Sequence, residues 1–137
     1  MPKNESPPKP RMRVLVIEDN RDFAQVIHDI LEIKGCELDI AFNARSGLEI
    51  AQRTLPDLIF CDIGLPGDMD GFDFAQAVRA DNELAHVPLI AISGYTGESN
   101  KQRAISAGFN RIFPKPVKFA DISEALATFA KGGPAGF

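Results

Sequence analysis

Arg13-Val14-Leu15-Val16-Ile17-Glu18-Asp19 is the stretch that decides the fold. Four apolar residues follow one another without alternation, and then two carboxylates end the run. An unbroken apolar segment of this length predicts a strand buried on both faces. The pattern returns along the chain. Glu37–Phe42, Asp57–Cys61, Pro88–Ile92 and Asn110–Phe113 all read as strands, and polar residues follow three of them: Asp62, Ser93-Gly94 and Lys115-Pro116.

Helical patterns separate these runs. From Asn20 to Lys34, Phe23, Val26, Ile27, Ile30 and Leu31 recur at helical spacing, and Gly35 closes the segment. Asn43 is the expected N-cap of a helix bearing Leu48, Ala51 and Leu55, ended by Pro56. A turn-rich loop from Asp62 to Gly71 leads to a helix with Phe74, Ala77 and Val78. A short helix is expected over Ser99–Ala107, stopped by Gly108. The last helix carries Ile122, Leu126, Phe129 and Ala130, with Gly132 just past its end. Five βα units of this kind imply an α/β fold. Its parallel sheet would have helices on both faces and right-handed crossovers. In such open sheets the site lies beyond the carboxyl ends of the strands, where strand order reverses.

The bulk properties agree with one compact domain. The chain has 137 residues, 45% of them hydrophobic and 25% charged, with a formal net charge of −4. That balance speaks against direct nucleic-acid binding, because phosphate backbones select basic surfaces. No apolar run approaches the roughly 18 residues of a membrane span, so neither a membrane nor a nucleic-acid partner is expected. The segment 1–11, with Pro2, Pro7, Pro8 and Pro10, reads as a disordered lead-in, and 132–137 as a flexible tail around the 12–131 domain. Cys36 and Cys61 sit in apolar surroundings and read as buried thiols of a cytoplasmic protein. His28 and His86 show no ligand partner at useful spacing. Phe23, Phe74 and Phe129 read as core.

The chemistry gathers at the strand ends. Glu18, Asp19 and Asp62 brought together would repel, and their pKa values would rise unless a cation neutralised them. Mg²⁺ suits an all-oxygen set that also faces phosphate. Three carboxylates, one Mg²⁺ and Lys115 sum to a charge near zero, so an incoming phosphoryl group is tolerated. Asp62 is the candidate nucleophile, because carboxylates form acyl phosphates. Mg²⁺, the Ser93 hydroxyl and Lys115 would bind the equatorial oxygens of the transferring group.

Together these residues make the chain resemble the response-regulator receiver family of two-component signalling, with single-domain chemotaxis-type regulators as the simplest relatives. The matching residues are Glu18-Asp19, Asp62 with Gly64-Leu65-Pro66, Asp70-Gly71, Ser93-Gly94 and Lys115-Pro116, over about residues 12 to 131. The resemblance implies a flavodoxin-like doubly wound (βα)5 fold with strand order 2-1-3-4-5. It implies Mg²⁺ on Glu18, Asp19, Asp62 and the backbone carbonyl of Gly64. It further implies phosphorylation of Asp62 by a histidine kinase or histidine phosphotransfer protein, a Ser93 that moves toward the phosphoryl group, a Lys115 that bridges to it, and a cis Lys115-Pro116 bond. Output would pass to a downstream protein through the face of helix four, strand five and helix five. The chain would not be a conventional enzyme, its only catalysis being on its own Asp62.

Three features depart from the family pattern. The loop after Asp62 is one residue longer than its commonest version, with Gly67 or Asp68 as the extra. Where the family usually has Tyr or Phe, three residues before the lysine, this chain has Ile112, and alternation sends Phe113 to the other face. Movement of the Ser93–Tyr95 loop and the following helix is therefore expected to carry the switch. Gly64 and Tyr95 stand at the positions that govern water attack, and they imply slow self-dephosphorylation. Asp57 reads as a surface or helix-capping residue, and Asp68 and Asp70 as loop and helix-start residues. One alternative is a pseudo-receiver that binds proteins without phosphorylation; failure to bind Mg²⁺ would favour it. A dehalogenase-like phosphotransferase would want a second Asp at position 64, and a flavin carrier would want a phosphate loop after the first strand.

Overall fold

The computed structural model describes residues 11–94 and 97–129. The expected tails therefore lie almost wholly outside the described residues, as do Tyr95, Ala130 and Gly132. Ten elements alternate: β1 (Arg13–Ile17), α1 (Arg21–Ile33), β2 (Glu37–Ala41), α2 (Ala44–Thr54), β3 (Leu58–Asp62), α3 (Gly71–Ala80), β4 (Leu89–Ser93), α4 (Glu98–Ala107), β5 (Arg111–Pro114) and α5 (Phe119–Phe129). The five strands form one sheet in the order β2-β1-β3-β4-β5, and every pair is parallel. This is the doubly wound order expected. Strand order reverses at β1, so the carboxyl ends of β1 and β3 flank the crevice where ligands of such sheets bind.

Strand alternation divides the core. Leu15, Ile17, Ile59, Cys61, Leu89 and Ala91 face α2, α3 and α4, with Phe74 and Val78 opposite them. Val14, Val16, Leu58, Phe60, Ile90 and Ile92 face α1 and α5, against Ile27, Leu31 and Ile122. Phe60 and Phe74 are both fully buried, and burying each such side chain is worth roughly 1.5–3 kcal/mol. Phe23 and Phe129, expected in the core, are only partly buried at its edge.

Helix ends follow local chemistry. The Asn20 and Asn43 side chains accept hydrogen bonds from the backbone of Phe23 and Ser46, capping α1 and α2. Asp70 and Asp73 form a reciprocal capping box at the start of α3. After α1, Gly35 donates to Glu32 O and Cys36 to Leu31 O, a Schellman pair with Gly35 at φ +87°. Leu55 ends α2 at φ +50°, because Pro56 after it disfavours the right-handed helical region. Cys36 and Cys61 are buried free thiols, although Cys36 precedes β2 and does not lie within it.

The amino ends of the strands are held by two polar devices. Asp57 is partly buried, and its Oδ2 accepts from the Arg13 backbone at 2.9 Å, fixing the start of β1. Arg79 directs every guanidinium N–H at an acceptor: Gly108 O twice, Ala85 O, Val87 O and Asn110 Oδ1, at 2.7–3.0 Å. The same Asn110 Oδ1 accepts from the Leu89 backbone at 2.8 Å. Arg79 thus ties α3 to the end of α4 and to the starts of β4 and β5.

Candidate functional site

The opposite end of the sheet holds the charges. Glu18 follows β1 directly. Its backbone N–H donates to Ala41 O at 3.0 Å, which carries the side chain inward to complete burial. Its Oε2 accepts from the Asn20 backbone at 3.0 Å. Its Oε1 accepts no well-angled hydrogen bond and meets the Lys115 ammonium as an ion pair at 3.0 Å. Asp62 closes β3 and is 5% exposed; its Oδ1 accepts from Gly64 N–H at 2.9 Å and its Oδ2 from Lys115 Nζ at 3.1 Å. Asp19 stands exposed at the rim.

Lys115 is brought in by β5. Its backbone N–H donates to Ser93 O at 2.8 Å, so the pairing of β4 with β5 continues to the lysine. The Lys115-Pro116 bond is cis. The ammonium thus sits between Glu18 and Asp62, and it lies 5.0 Å from the centre of the Phe23 ring. Asp62, Ile63, Gly64, Ser93, Gly94, Asn100 and Lys115 line an open cleft of about 350 Å³.

Electrostatics follow from this crowding. Burial pushes the Glu18 carboxyl above its ordinary value; the Asn20 N–H and Lys115 oppose the rise, and Asp62 adds to it. Burial works against the charged Lys115 ammonium, yet Glu18 and Asp62 outweigh it and hold its pKa above the usual lysine value. Glu18, Asp19 and Asp62 each offer an oxygen, all within 4.8 Å of one another. Three carboxylates against one ammonium leave an excess of two negative charges, and one oxygen, Glu18 Oε1, is buried without a hydrogen bond. An all-oxygen set with that excess fits a divalent hard cation.

The β3–α3 loop explains its extra residue. Gly67 turns at φ +101°, a region open to glycine, and Asp68 points outward into a two-pronged ion pair with Arg45 at 2.9 and 3.2 Å. Gly71 is required by contact. A Cβ there would stand 2.5 Å from Asp62 O and 2.6 Å from Ile63 Cα, so α3 starts directly against the strand that bears Asp62.

Every residue expected at the site lies here: Glu18, Asp19, Asp62, Gly64, Ser93 and Lys115. Sequence reading missed two neighbours. Asn100, in the first turn of α4, lines the cleft, and Phe23 meets the lysine from α1. Neither belongs to a motif, and only the folded helices place them. The reading of His28 as lacking ligand partners also changes: His28, Asp29 and Glu32 share the outer surface of α1 within 4.8 Å of one another. Ile112 packs on the α3–α4 side and Phe113 on the α1–α5 side, as alternation required.

Known proteins match this architecture. Residues 14–127 fit the model of the response regulator receiver domain. The polar-differentiation response regulator DivK of Brucella anthropi is 28% identical over 116 residues, covering 85% of this chain and 94% of that protein. Chemotaxis protein CheY4 of Vibrio cholerae superposes with a TM-score of 0.82 at 26% identity, covering 88% of this chain and 99% of that one. The receiver domain of sensor histidine kinase PA1611 from Pseudomonas aeruginosa superposes with a TM-score of 0.81 at 26% identity, covering 88% of this chain and 98% of that one. That structure has a magnesium ion coordinated in its active-site cleft. By fold, by family model and by the order of its strand-end residues, the chain belongs to the response regulator receiver domain family of two-component signalling.

Proposed function

We propose that the chain is a phosphoacceptor switch. It takes a phosphoryl group from a phosphohistidine onto Asp62 and thereby changes its contacts with a downstream protein. The observation that carries this reading is the convergence of Lys115 Nζ on Asp62 Oδ2 and Glu18 Oε1, at 3.1 and 3.0 Å, beside an acid set with excess negative charge. Glu18, Asp19 and Asp62, with the carbonyl of Gly64, would hold Mg²⁺, as the magnesium in the PA1611 receiver supports. The bound ion would supply the positive charge that offsets the oxygens of the transferring group.

The chain's own residues do the rest. In transfer, an Asp62 oxygen forms a bond to phosphorus while the phosphorus–nitrogen bond to the donor histidine breaks, and the imidazole leaves with its electron pair. The Gly64 N–H, bonded to Asp62 Oδ1, holds the carboxylate in one orientation, which lowers the entropy lost on reaction. Lys115 and the Ser93 hydroxyl meet the phosphoryl oxygens in the cleft. Gly64 presents no side chain to orient a water, so self-dephosphorylation is slow. The donor is a histidine kinase or a histidine phosphotransfer protein. The output surface is the α4–β5–α5 face, where Ile105 is 63% exposed.

The test is incubation with acetyl phosphate and Mg²⁺ followed by intact-mass measurement. Wild type should gain the mass of one phosphoryl group and Asp62→Asn should not. Persistent binding of a partner without any phosphorylation or Mg²⁺ binding would instead establish a pseudo-receiver. Phosphate release from labelled protein within seconds would contradict the slow decay.

A further inference from the structure

Four contacts close a ring around the lysine. Glu18 Oε2 accepts from the Asn20 backbone N–H at 3.0 Å. Asn20 Oδ1 accepts from the Phe23 backbone N–H at 3.0 Å. The Phe23 ring faces Lys115 Nζ, with 5.0 Å to its centre. Lys115 Nζ returns to Glu18 Oε1 at 3.0 Å. The helix cap of α1 and the acid site are therefore one structure.

We propose that Phe23 is a positioning residue for Lys115, holding the ammonium between Glu18 and Asp62 by a cation–π contact. An ammonium can donate three hydrogen bonds. One is donated to Asp62 Oδ2, Glu18 Oε1 is met as an ion pair, and the lysine side chain is 28% exposed. Without the ring, a flexible lysine stem beside solvent would sample rotamers that point away from the carboxylates. The negative face of the aromatic ring attracts the ammonium without competing as a hydrogen-bond acceptor. The cap fixes the backbone of Phe23, and the ring packs at the edge of the α1–α5 core, so the wall it offers is rigid.

This inference rests on the phosphoacceptor reading for its kinetic half and on geometry alone for its contact half. The experiment uses the full chain, in wild type, Phe23→Leu, Phe23→Tyr and Phe23→Trp. Lysine side-chain resonances are recorded by NMR without Mg²⁺, and the rate of phosphorylation by acetyl phosphate is measured with it. In wild type the Lys115 side-chain protons should be shifted upfield by the ring. Phe23→Leu, which keeps apolar volume, should lose that shift and react about two- to tenfold more slowly. Tyr and Trp at this position should restore both. A Lys115 shift unchanged in Phe23→Leu, or a Leu variant that reacts at the wild-type rate, would overturn the proposal. If wild type itself takes no phosphoryl group, the phosphoacceptor reading fails, while the ring-induced shift still decides the contact.

Discussion

Ile112 and Phe113, neighbours on β5, face opposite sides of the sheet: Ile112 packs with the α3–α4 core, and Phe113 is buried beneath α1 and α5. On the α4 side of β5 the side chain is therefore aliphatic, and Phe113 cannot swing into that pocket. We expect the response to pass instead through the β4–α4 loop and α4, a helix held by few buried side chains. Its N-cap, Gly97, makes no side-chain capping bond, and only Ala104 and Ala107 are buried. Beryllofluoride loading, a stand-in for the phosphoryl group, should shift NMR signals of Ser93, Gly94 and the first turn of α4 most. Large changes centred on Ile112 with quiet signals at 93–100 would refute this.

Metal removal should expose the cost of the acid cluster. Burial raises Glu18, so its charged form is held at a loss in the fold, and in the metal-free protein this group should contribute added stability as pH falls through its raised folded-state pKa toward the ordinary glutamate value. Glu18→Gln abolishes that loss. The expected result is a variant more stable than wild type in chelator. Its stabilisation by Mg²⁺ should be much reduced, whereas wild type should gain about 2.7 kcal/mol at a hundredfold excess over Kd. Thermal melts with and without Mg²⁺ measure both.

Arg79 should matter for stability and not for the site. Arg79→Met would strip partners from several carbonyls and from Asn110, and the cost should be about 3 kcal/mol or more. Arg79→Lys should rescue little, because one ammonium cannot reproduce the planar fork. Urea unfolding gives the first number. Mg²⁺ affinity, unchanged, gives the control, since Arg79 acts at the amino ends of β4 and β5.

Gly71→Ala, by contrast, should touch both stability and the site. The added methyl meets the main chain of Asp62 and Ile63, which cannot yield as a flexible side chain would. Overpacking of this kind costs typically 1–3 kcal/mol. The displaced strand end should also weaken Mg²⁺ binding, measurable by calorimetry at a temperature where the variant remains folded.

Much of this molecule is legible in its sequence, because the signals are chemical and local. β1 and β3 are unbroken apolar runs, and asparagine caps mark α1 and α2. Boundaries slipped at strand ends. Asp62 and Ser93 belong to their strands, since backbone pairing with Ile92 and Pro114 continues past the last apolar side chain. The site acids were readable because unlike residues recur at one end of successive strands. Asn100, Arg79 and the Phe23 contact were not readable. Each depends on where one helix settles against another element, and a phenylalanine at helical spacing looks like core whether or not a lysine arrives beside it. The anchoring of β1 by Asp57 is equally hidden, because a carboxylate that holds a strand start resembles any surface acid in sequence.

The Arg79 knot and the acid cluster lie at opposite ends of the same strands, and that separation has a consequence for how the domain can change over time. Saturated bonds hold one end, whereas the other carries like charges that are only partly answered. Substitutions that retune the reactive end can accumulate while the anchored end keeps the scaffold intact. Changes at the acid end alter stability and ion binding together, and the margin for them is supplied by the end that Arg79 anchors.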